Sequence, residues 1–251
     1  MMSLAKNAIL KGIVIKKIPY KDYHEIVHIF TENGLVESFF YENVNKNKKK
    51  NKLFIPTLVT TSFFRTSGMN KIINLDVDNY FSNIIYDIKK SSYIKNIIEI
   101  IGYNQLLNPY FYKLLNNLLD LINEDKIDEK LSNIYFIILF LKYEGFVFKY
   151  LKTNKNYAGY SFSKNMFIDV EECNNSFFKL DNKLIQLIYI LSNNSVNILE
   201  KIHLDDSEIN IVFRFINIIL KEYSGIETKS YNKILELESI LNSFEGDKNN
   251  E

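Results

Sequence analysis

The densest cluster of charged side chains lies between residues 43 and 52, where lysine and asparagine predominate and no acidic residue occurs. Ammonium groups at this density can neutralise successive phosphates of a nucleic-acid backbone. Lysine is common throughout the chain, however, and arginine occurs only as Arg65 and Arg214, a bias typical of an AT-rich genome. A solvated loop enriched in lysine by compositional drift is therefore the alternative interpretation. The candidate phosphate contacts are Lys46, Lys48, Lys49, Lys50 and Lys52, with Lys16, Lys17 and Arg65 as second choices.

Aromatic side chains in the same part of the chain could stack on bases, as they do in modules that bind single-stranded nucleic acid. Burial in a small core is the competing use of these rings, and it is expected for most of them. Side chains alternate between the two faces of a strand, so at most some of these rings point outward. The candidates are Tyr20, Tyr23, Phe39, Phe40, Tyr41, Phe63 and Phe64.

No group of residues predicts an enzyme or a cofactor site. His24 and His28 have a metal-binding spacing for a helix, but on a strand they lie more than about 12 Å apart. The acidic pairs Asp205-Asp206 and Glu171-Glu172 are explained by helix capping and solvation. Cys173 is the only cysteine, which excludes an intrachain disulfide and a zinc site built from thiolates. The sequence also lacks a nucleophile elbow and a phosphate-binding glycine loop, so we expect a protein that is not an enzyme.

The first third of the chain has the pattern of short strands. Asn33-Gly34 stands between two segments rich in β-branched and aromatic residues, which is a strong signal for a β-hairpin. Five strands in so short a segment favour a small closed barrel of the OB type, since closure removes exposed sheet edges. The predicted strands cover residues 12–18, 24–31, 35–40, 58–65 and 71–77.

From residue 80 the apolar residues recur at intervals of three and four, which predicts helices. Residues 146–178 interrupt the pattern and read as loops or a short hairpin. The expected fold is thus α+β with two domains: an OB-fold barrel over residues 1–79, and a helical domain over 80–245 with an irregular insert at about 146–178. Residues 246–251 are expected to form a polar tail. Helices are predicted at residues 80–102, 109–122, 128–143, 182–191, 196–203 and 207–223.

The charge is divided unevenly between these parts. Residues 1–79 carry 12 Lys or Arg against 7 Asp or Glu, whereas residues 80–251 carry 19 against 23. A basic module joined to a mildly acidic one is typical of a protein that binds a polyanion. We also expect a soluble, cytoplasmic protein, because no secretion signal or membrane-spanning segment is visible.

The order and spacing of several segments resemble the RecO family of bacterial recombination mediators. Residues 12–34 are similar to the opening of that family: a strand, Tyr20 followed two residues later by Asp22, and a strand ending in Phe30-Thr31 before Gly34. Residues 53–57 resemble the strand that returns after the family's basic loop. Further similarity lies in Ser92-Tyr93 with Glu99, and in residues 225–235 with Lys229-Ser230.

The chain departs from that family in three places. Its basic loop contains lysines where the family has a Gly-Ala-Arg run. His24 stands where the family tends to have a small or acidic residue, and we attach no function to it. Many members carry four cysteines that bind zinc in the helical domain, but one thiol cannot hold structural zinc. The corresponding positions here are Leu151, Asn154, Val170 and Cys173.

The resemblance implies a nucleoid-associated mediator that binds single- and double-stranded DNA, promotes annealing, pairs with RecR and helps to load RecA. It also implies contact with the acidic, Phe-ending C-terminal tail of single-strand-binding protein. Such a tail needs an apolar slot bordered by lysines, and a hypothetical location is Lys142, Phe146, Phe148, Lys149 and Lys152.

Two other functions stay open at this point. An OB-fold module for RNA binding or translation would prefer RNA to DNA of equal length. A protein-interaction scaffold would bind no nucleic acid at physiological salt, and its lysine loop would be compositional drift.

Overall fold

A computed structural model describes residues 7–21, 23–42, 53–104, 106–148, 157–169 and 177–248 of the chain, with side chains as far as residue 240. The chain divides into two compact units, Met1–Lys126 and Ile127–Glu251. The first unit therefore contains the barrel together with the first three helices. Several residues named above lie outside the described ranges: Lys46, Lys48, Lys49, Lys50, Lys52, Lys149, Leu151, Lys152, Asn154, Val170 and Cys173.

The first unit is built on a closed five-stranded barrel, as predicted. Its strands are β1 (Asn7–Tyr20), β2 (His24–Thr31), β3 (Val36–Tyr41), β4 (Thr57–Phe64) and β5 (Asn70–Asn79). Around the barrel they follow the order β1-β2-β3-β5-β4. The first half of β1 pairs antiparallel with β4 and its second half with β2, while β3 and β5 pair in parallel. This arrangement is that of an OB fold.

Alternation along the strands fills the barrel with apolar side chains. On β2, Val27 and Ile29 are fully buried, and Phe39 on β3 contacts Phe63 on β4 edge to face, with ring centroids 5.0 Å apart. Gly12 lies where β1 and β2 approach closely, since a Cβ atom there would stand 2.3 Å from the side chain of Ile29. The close packing of these two strands thus depends on a glycine at this position.

The predicted turn at Asn33-Gly34 joins β2 to β3. Gly34 has a φ of 80°, a conformation that favours glycine. Its carbonyl accepts a hydrogen bond of 2.8 Å from the Leu107 amide, just before the third helix. Phe30, on the outside of the barrel, packs against Tyr112 of that helix with ring centroids 6.1 Å apart. One turn therefore both closes the hairpin and fastens a helix to the barrel.

Three helices complete this unit: α1 (Ser82–Ile85), α2 (Ile88–Tyr103) and α3 (Pro109–Asn123). The prediction of a single helix over residues 80–102 is wrong, because the helix is interrupted at residues 86 and 87. Asp87 caps α2 instead, and its carboxylate accepts a hydrogen bond of 2.9 Å from the Lys90 amide. An aspartate that satisfies a free amide at a helix start outweighs the apolar periodicity that continued across it.

The second unit packs around α4 (Glu129–Tyr143), whose middle is apolar in sequence and buried on nearly every side, with Leu139 half-buried. The other helices are α5 (Asn182–Asn193), a 3₁₀ helix (Val196–Lys201), α6 (Asp206–Ser224) and α7 (Lys229–Lys248). Asp205 and Glu208 form a capping box at the start of α6. Tyr223, near the end of α6, is 46% exposed.

The helix α7 was not predicted, and it extends to Lys248. Its side chains are fastened to the rest of the unit by a largely buried ion pair of 2.6 Å between Lys130 and Glu238. Tyr231 adds a ring contact with Phe213, with centroids 5.5 Å apart. These partners lie far away in sequence, so the local pattern of α7 alone does not reveal them.

The insert between α4 and α5 contains a small sheet of three strands in the order β7-β6-β8: β6 (Tyr157–Ser161), β7 (Met166–Asp169) and β8 (Phe178–Lys179). Its rings converge on Phe215 of α6, which is fully buried. The ring centroids of Tyr160 and Phe178 each lie within 5.3 Å of that of Phe215. Burial raises the pKa of Tyr160 to about 12. An aromatic cluster therefore holds this sheet against α6.

Candidate nucleic-acid interface

The outer face of β1, β2 and β3 carries the candidate interface. Cross-strand pairing places Tyr20 opposite His24, Ile18 opposite Ile26, and Lys16 opposite His28 on the first two strands. On the third strand, Phe40 lies opposite Ile26 and Ser38 lies opposite His28. Because paired residues share a face, these side chains form one continuous surface of rings and aliphatic groups with a cation at its edge.

The rings of this surface form a small platform at one end. Tyr20 contacts Phe40 edge to face, with ring centroids 5.7 Å apart, and His24 lies 5.1 Å from Phe40. Tyr20 is 41% exposed, and the ammonium group of Lys21 stands 5.4 Å from the centre of its ring. An exposed ring with a cation beside it can stack on a base while the cation attracts the adjoining phosphate.

The other aromatic candidates divide as strand alternation requires. Phe39, Tyr41 and Phe63 are buried in the barrel, whereas Phe64 and Tyr23 are exposed. The expectation that most of the rings would be in the core is wrong, since three of the seven candidates are buried. Of the exposed rings, Tyr20 lies on the candidate face, whereas Phe64 belongs to β4 and Tyr23 to the turn between β1 and β2.

His28 lies in the middle of the surface and is half-buried. Its Nδ1 atom is 2.9 Å from the Ser38 hydroxyl, and its Nε2 atom is buried with no hydrogen-bond partner in the described part of the chain. Burial lowers the pKa of His28, and the positive charge of Lys16 across the strand lowers this pKa further. The neutral imidazole is therefore favoured in the folded protein.

This environment predicts a specific acid sensitivity. The contribution of His28 to stability is fully present above the unfolded-state pKa of about 6.5 and is lost as the pH falls through the lowered folded-state pKa. We expect His28→Gln to reduce the loss of stability between about pH 7 and pH 5, measured by urea denaturation. His203→Gln, at an exposed histidine, is the control. Identical pH dependence in wild type and His28→Gln would contradict the assignment.

The second-choice cations have different environments. Lys16 is exposed on the candidate face. Lys17 is half-buried and donates a hydrogen bond of 2.6 Å to the Leu53 carbonyl, so it fastens the start of the return segment to β1. Arg65 is exposed at the mouth of the barrel, among the residues that line a cavity there. The structure therefore brings only Lys16 of these three onto the platform face.

Two further cations near this face were not among the sequence candidates. Lys21 follows Tyr20 directly, and Lys71 of β5 pairs with Phe40 and forms an ion pair of 2.8 Å with Glu42. Lys21 could have been indicated by its place directly after Tyr20 in the sequence, but the position of Lys71 depends on the parallel pairing of β3 with β5, which the sequence does not reveal. The five lysines of residues 46–52 lie outside the described residues, in the sequence between β3 and β4.

The hypothetical slot for the tail of single-strand-binding protein is not an open groove in the part that the structure describes. Phe146 is buried and contacts both Phe148 and Tyr223, with ring centroids 4.8 and 4.9 Å away. Lys142 is exposed and donates a hydrogen bond of 2.9 Å to the Ser192 carbonyl. Phe146 is thus part of the packed interior of its unit, and the accessible apolar group beside it is Val147, at 65% exposure.

The described residues contain no group of three or more histidine, cysteine or acidic side chains placed to bind a metal ion. Within the same residues, no helix is both long and apolar enough to cross a membrane.

Over nearly its full length, the chain is similar to several bacterial DNA repair proteins of the same name. The chain is 27% identical to the DNA repair protein RecO of Macrococcus caseolyticus over 249 residues, which cover 93% of this chain and 97% of the relative. It is 25% identical to the proteins of the same name from Staphylococcus haemolyticus and Staphylococcus saprophyticus, over 92% of this chain and 97% and 98% of theirs. No protein-family model matches the chain.

Proposed function

We propose that this chain, a RecO-family protein by its similarity to DNA repair proteins of that name, is a recombination mediator and not an enzyme. In this role it binds single- and double-stranded DNA, promotes annealing of complementary strands, and helps to load RecA together with RecR. The observation that carries the proposal is the platform of Tyr20 and Phe40, with Lys16, Lys21 and Lys71 around it, on the outer face of an OB barrel.

The chemistry of this face suits annealing. Rings that stack on bases hold a single strand by the flat faces of its bases, and lysines hold it by its phosphates. Neither contact occupies the hydrogen-bonding edges that a complementary strand must reach. Neutralised phosphates also reduce the repulsion between the two strands. A strand bound in this way is therefore prepared for pairing.

The proposed partners follow from the family membership. They are RecR and the C-terminal tail of single-strand-binding protein. RecA is an indirect partner, which the mediator helps to load onto DNA. For the acidic tail we retain the region of Lys142 and Phe148, with Val147 as its exposed apolar group and with Lys149 and Lys152 beyond the described residues. The buried Phe146 would support this surface from beneath.

Annealing itself tests the proposal. Two complementary oligonucleotides that carry a fluorescent donor and acceptor are mixed with and without the full chain, and the rate of energy transfer is followed. We expect faster annealing with the protein present. The same assay with complementary RNA strands addresses the alternative of an RNA-binding module. No acceleration with DNA, or acceleration with RNA alone, would contradict the proposal.

The ring of Tyr20 allows a prediction for a single side chain of the platform. We expect Tyr20→Ala to weaken binding of single-stranded DNA by roughly 1–3 kcal/mol, because stacking on one base is lost. The slope of affinity against salt should not change, since no charge is removed. Tyr189→Ala, which removes a tyrosine of similar exposure from α5, should leave affinity unchanged. Equal affinities of all three proteins in a fluorescence-anisotropy titration would exclude stacking on Tyr20.

A further inference from the structure

A cavity opens at the mouth of the barrel, in the first unit. Its volume is about 510 Å³, within the range of small-molecule sites. The first residues of β1 and the end of β4 form an apolar floor, in which Leu10 and Phe63 are buried. Polar side chains form its rim: Asn33, Glu37, Arg65, Thr66, Ser67 and Asn70.

Glu37 has an unusual position for a carboxylate. It pairs with Ile29, whose side chain belongs to the barrel core, so strand alternation places Glu37 on the interior side of the sheet. It is only partly exposed, and no hydrogen bond or ion pair joins its carboxylate to another described residue. A partly exposed carboxylate at the barrel mouth is thus available to accept hydrogen bonds from a ligand or from water.

Arg65 supplies the opposite charge at the same cavity. It is the only arginine of the first unit, in a chain that otherwise uses lysine. A guanidinium group binds phosphate through two hydrogen bonds, which an ammonium group does not reproduce. The cavity therefore combines a phosphate donor, an apolar floor, and amide and carboxylate groups that can bind the edge of a base.

We propose that this cavity binds one nucleotide of a single-stranded DNA, with Arg65 on its phosphate and Glu37 accepting a hydrogen bond from an amino group of the base. This inference rests on the proposed DNA-binding function. A carboxylate accepts from the amino group of cytosine, which thymine lacks.

Affinity for two homopolymers tests the proposal. We compare oligo-dC with oligo-dT of equal length by fluorescence anisotropy of the full chain at one salt concentration. The wild type should prefer oligo-dC about fivefold, the equivalent of one hydrogen bond of about 1 kcal/mol. Glu37→Gln should abolish or reverse this preference, because the amide can also donate to thymine. Arg65→Gln should weaken both complexes to a similar degree.

The control for this experiment is a charge change away from the cavity. Glu200→Gln makes the same change of charge at an exposed residue that does not line the cavity, and it should leave the preference unchanged. Tight binding of both homopolymers without preference, or a preference that survives Glu37→Gln, would overturn the nucleotide site and leave the DNA-binding proposal intact. No binding of either homopolymer would overturn both.

Discussion

Replacement of Lys46, Lys48, Lys49, Lys50 and Lys52 by alanine is expected to flatten the dependence of single-stranded DNA binding on salt. Each lysine that neutralises a phosphate contributes about 0.7 to the slope of log affinity against log salt, so five contribute about 3 to 4. At about 0.1 M salt the same term amounts to a loss on the order of a thousandfold in affinity relative to the wild type. Fluorescence anisotropy across a salt series measures both quantities.

The control for this variant removes the same number of charges elsewhere. Alanine at five exposed lysines of the second unit should alter the slope far less, because those residues lie outside the barrel and its basic connection. Parallel slopes for the wild type and the loop variant would show that the loop lysines do not meet phosphates, as the drift interpretation requires. The control positions are Lys164, Lys179, Lys201, Lys229 and Lys233.

Phe215→Ala is expected to destabilise the second unit by about 3–5 kcal/mol, the cost of deleting a fully buried ring and leaving a cavity. Phe215 is the ring on which the sheet of the insert packs, so its loss should also expose that sheet to proteolysis. Urea denaturation, followed by far-ultraviolet circular dichroism, measures the change. Phe215→Leu, which retains more volume, should cost markedly less.

Two further comparisons separate the role of this cluster from a general effect on α6. Ile211→Ala, at a 38% exposed residue of the same helix, should cost little. A metal chelator should not shift the unfolding midpoint of the wild type, because one cysteine cannot form a thiolate zinc site and aromatic packing holds the insert instead. A midpoint lowered by the chelator, or a Phe215→Ala variant as stable as wild type, would contradict this account.

Local sequence was sufficient where a short-range signal and the final fold agree. The Asn33-Gly34 turn, the strand β2 and the capped start of α6 at Asp205 need only neighbouring residues, and the structure confirms all three. The alternation in residues 39–41 also separated the buried rings of Phe39 and Tyr41 from the half-buried ring of Phe40, because a strand has a fixed period whatever lies beside it.

Elements that depend on distant partners were harder to predict. The start of β1 at Asn7 is a strand because it closes the barrel against β4. The helix α7 depends on Lys130 and Phe213, and Lys71 reaches the platform through parallel pairing with β3. For the same reason the cavity with Glu37 and Arg65 was not visible in the sequence: its lining comes from four strands and two turns.

Binding of labelled single-stranded DNA by the full wild-type chain, with unlabelled RNA of the same sequence as competitor, tests the central claim most directly. Fluorescence anisotropy at moderate salt should show saturable binding that weakens as salt is raised, and RNA should compete less well than unlabelled DNA. No binding under these conditions would contradict the assignment of this barrel as a DNA-binding module. RNA that competes better than DNA would replace the mediator with an RNA-binding function.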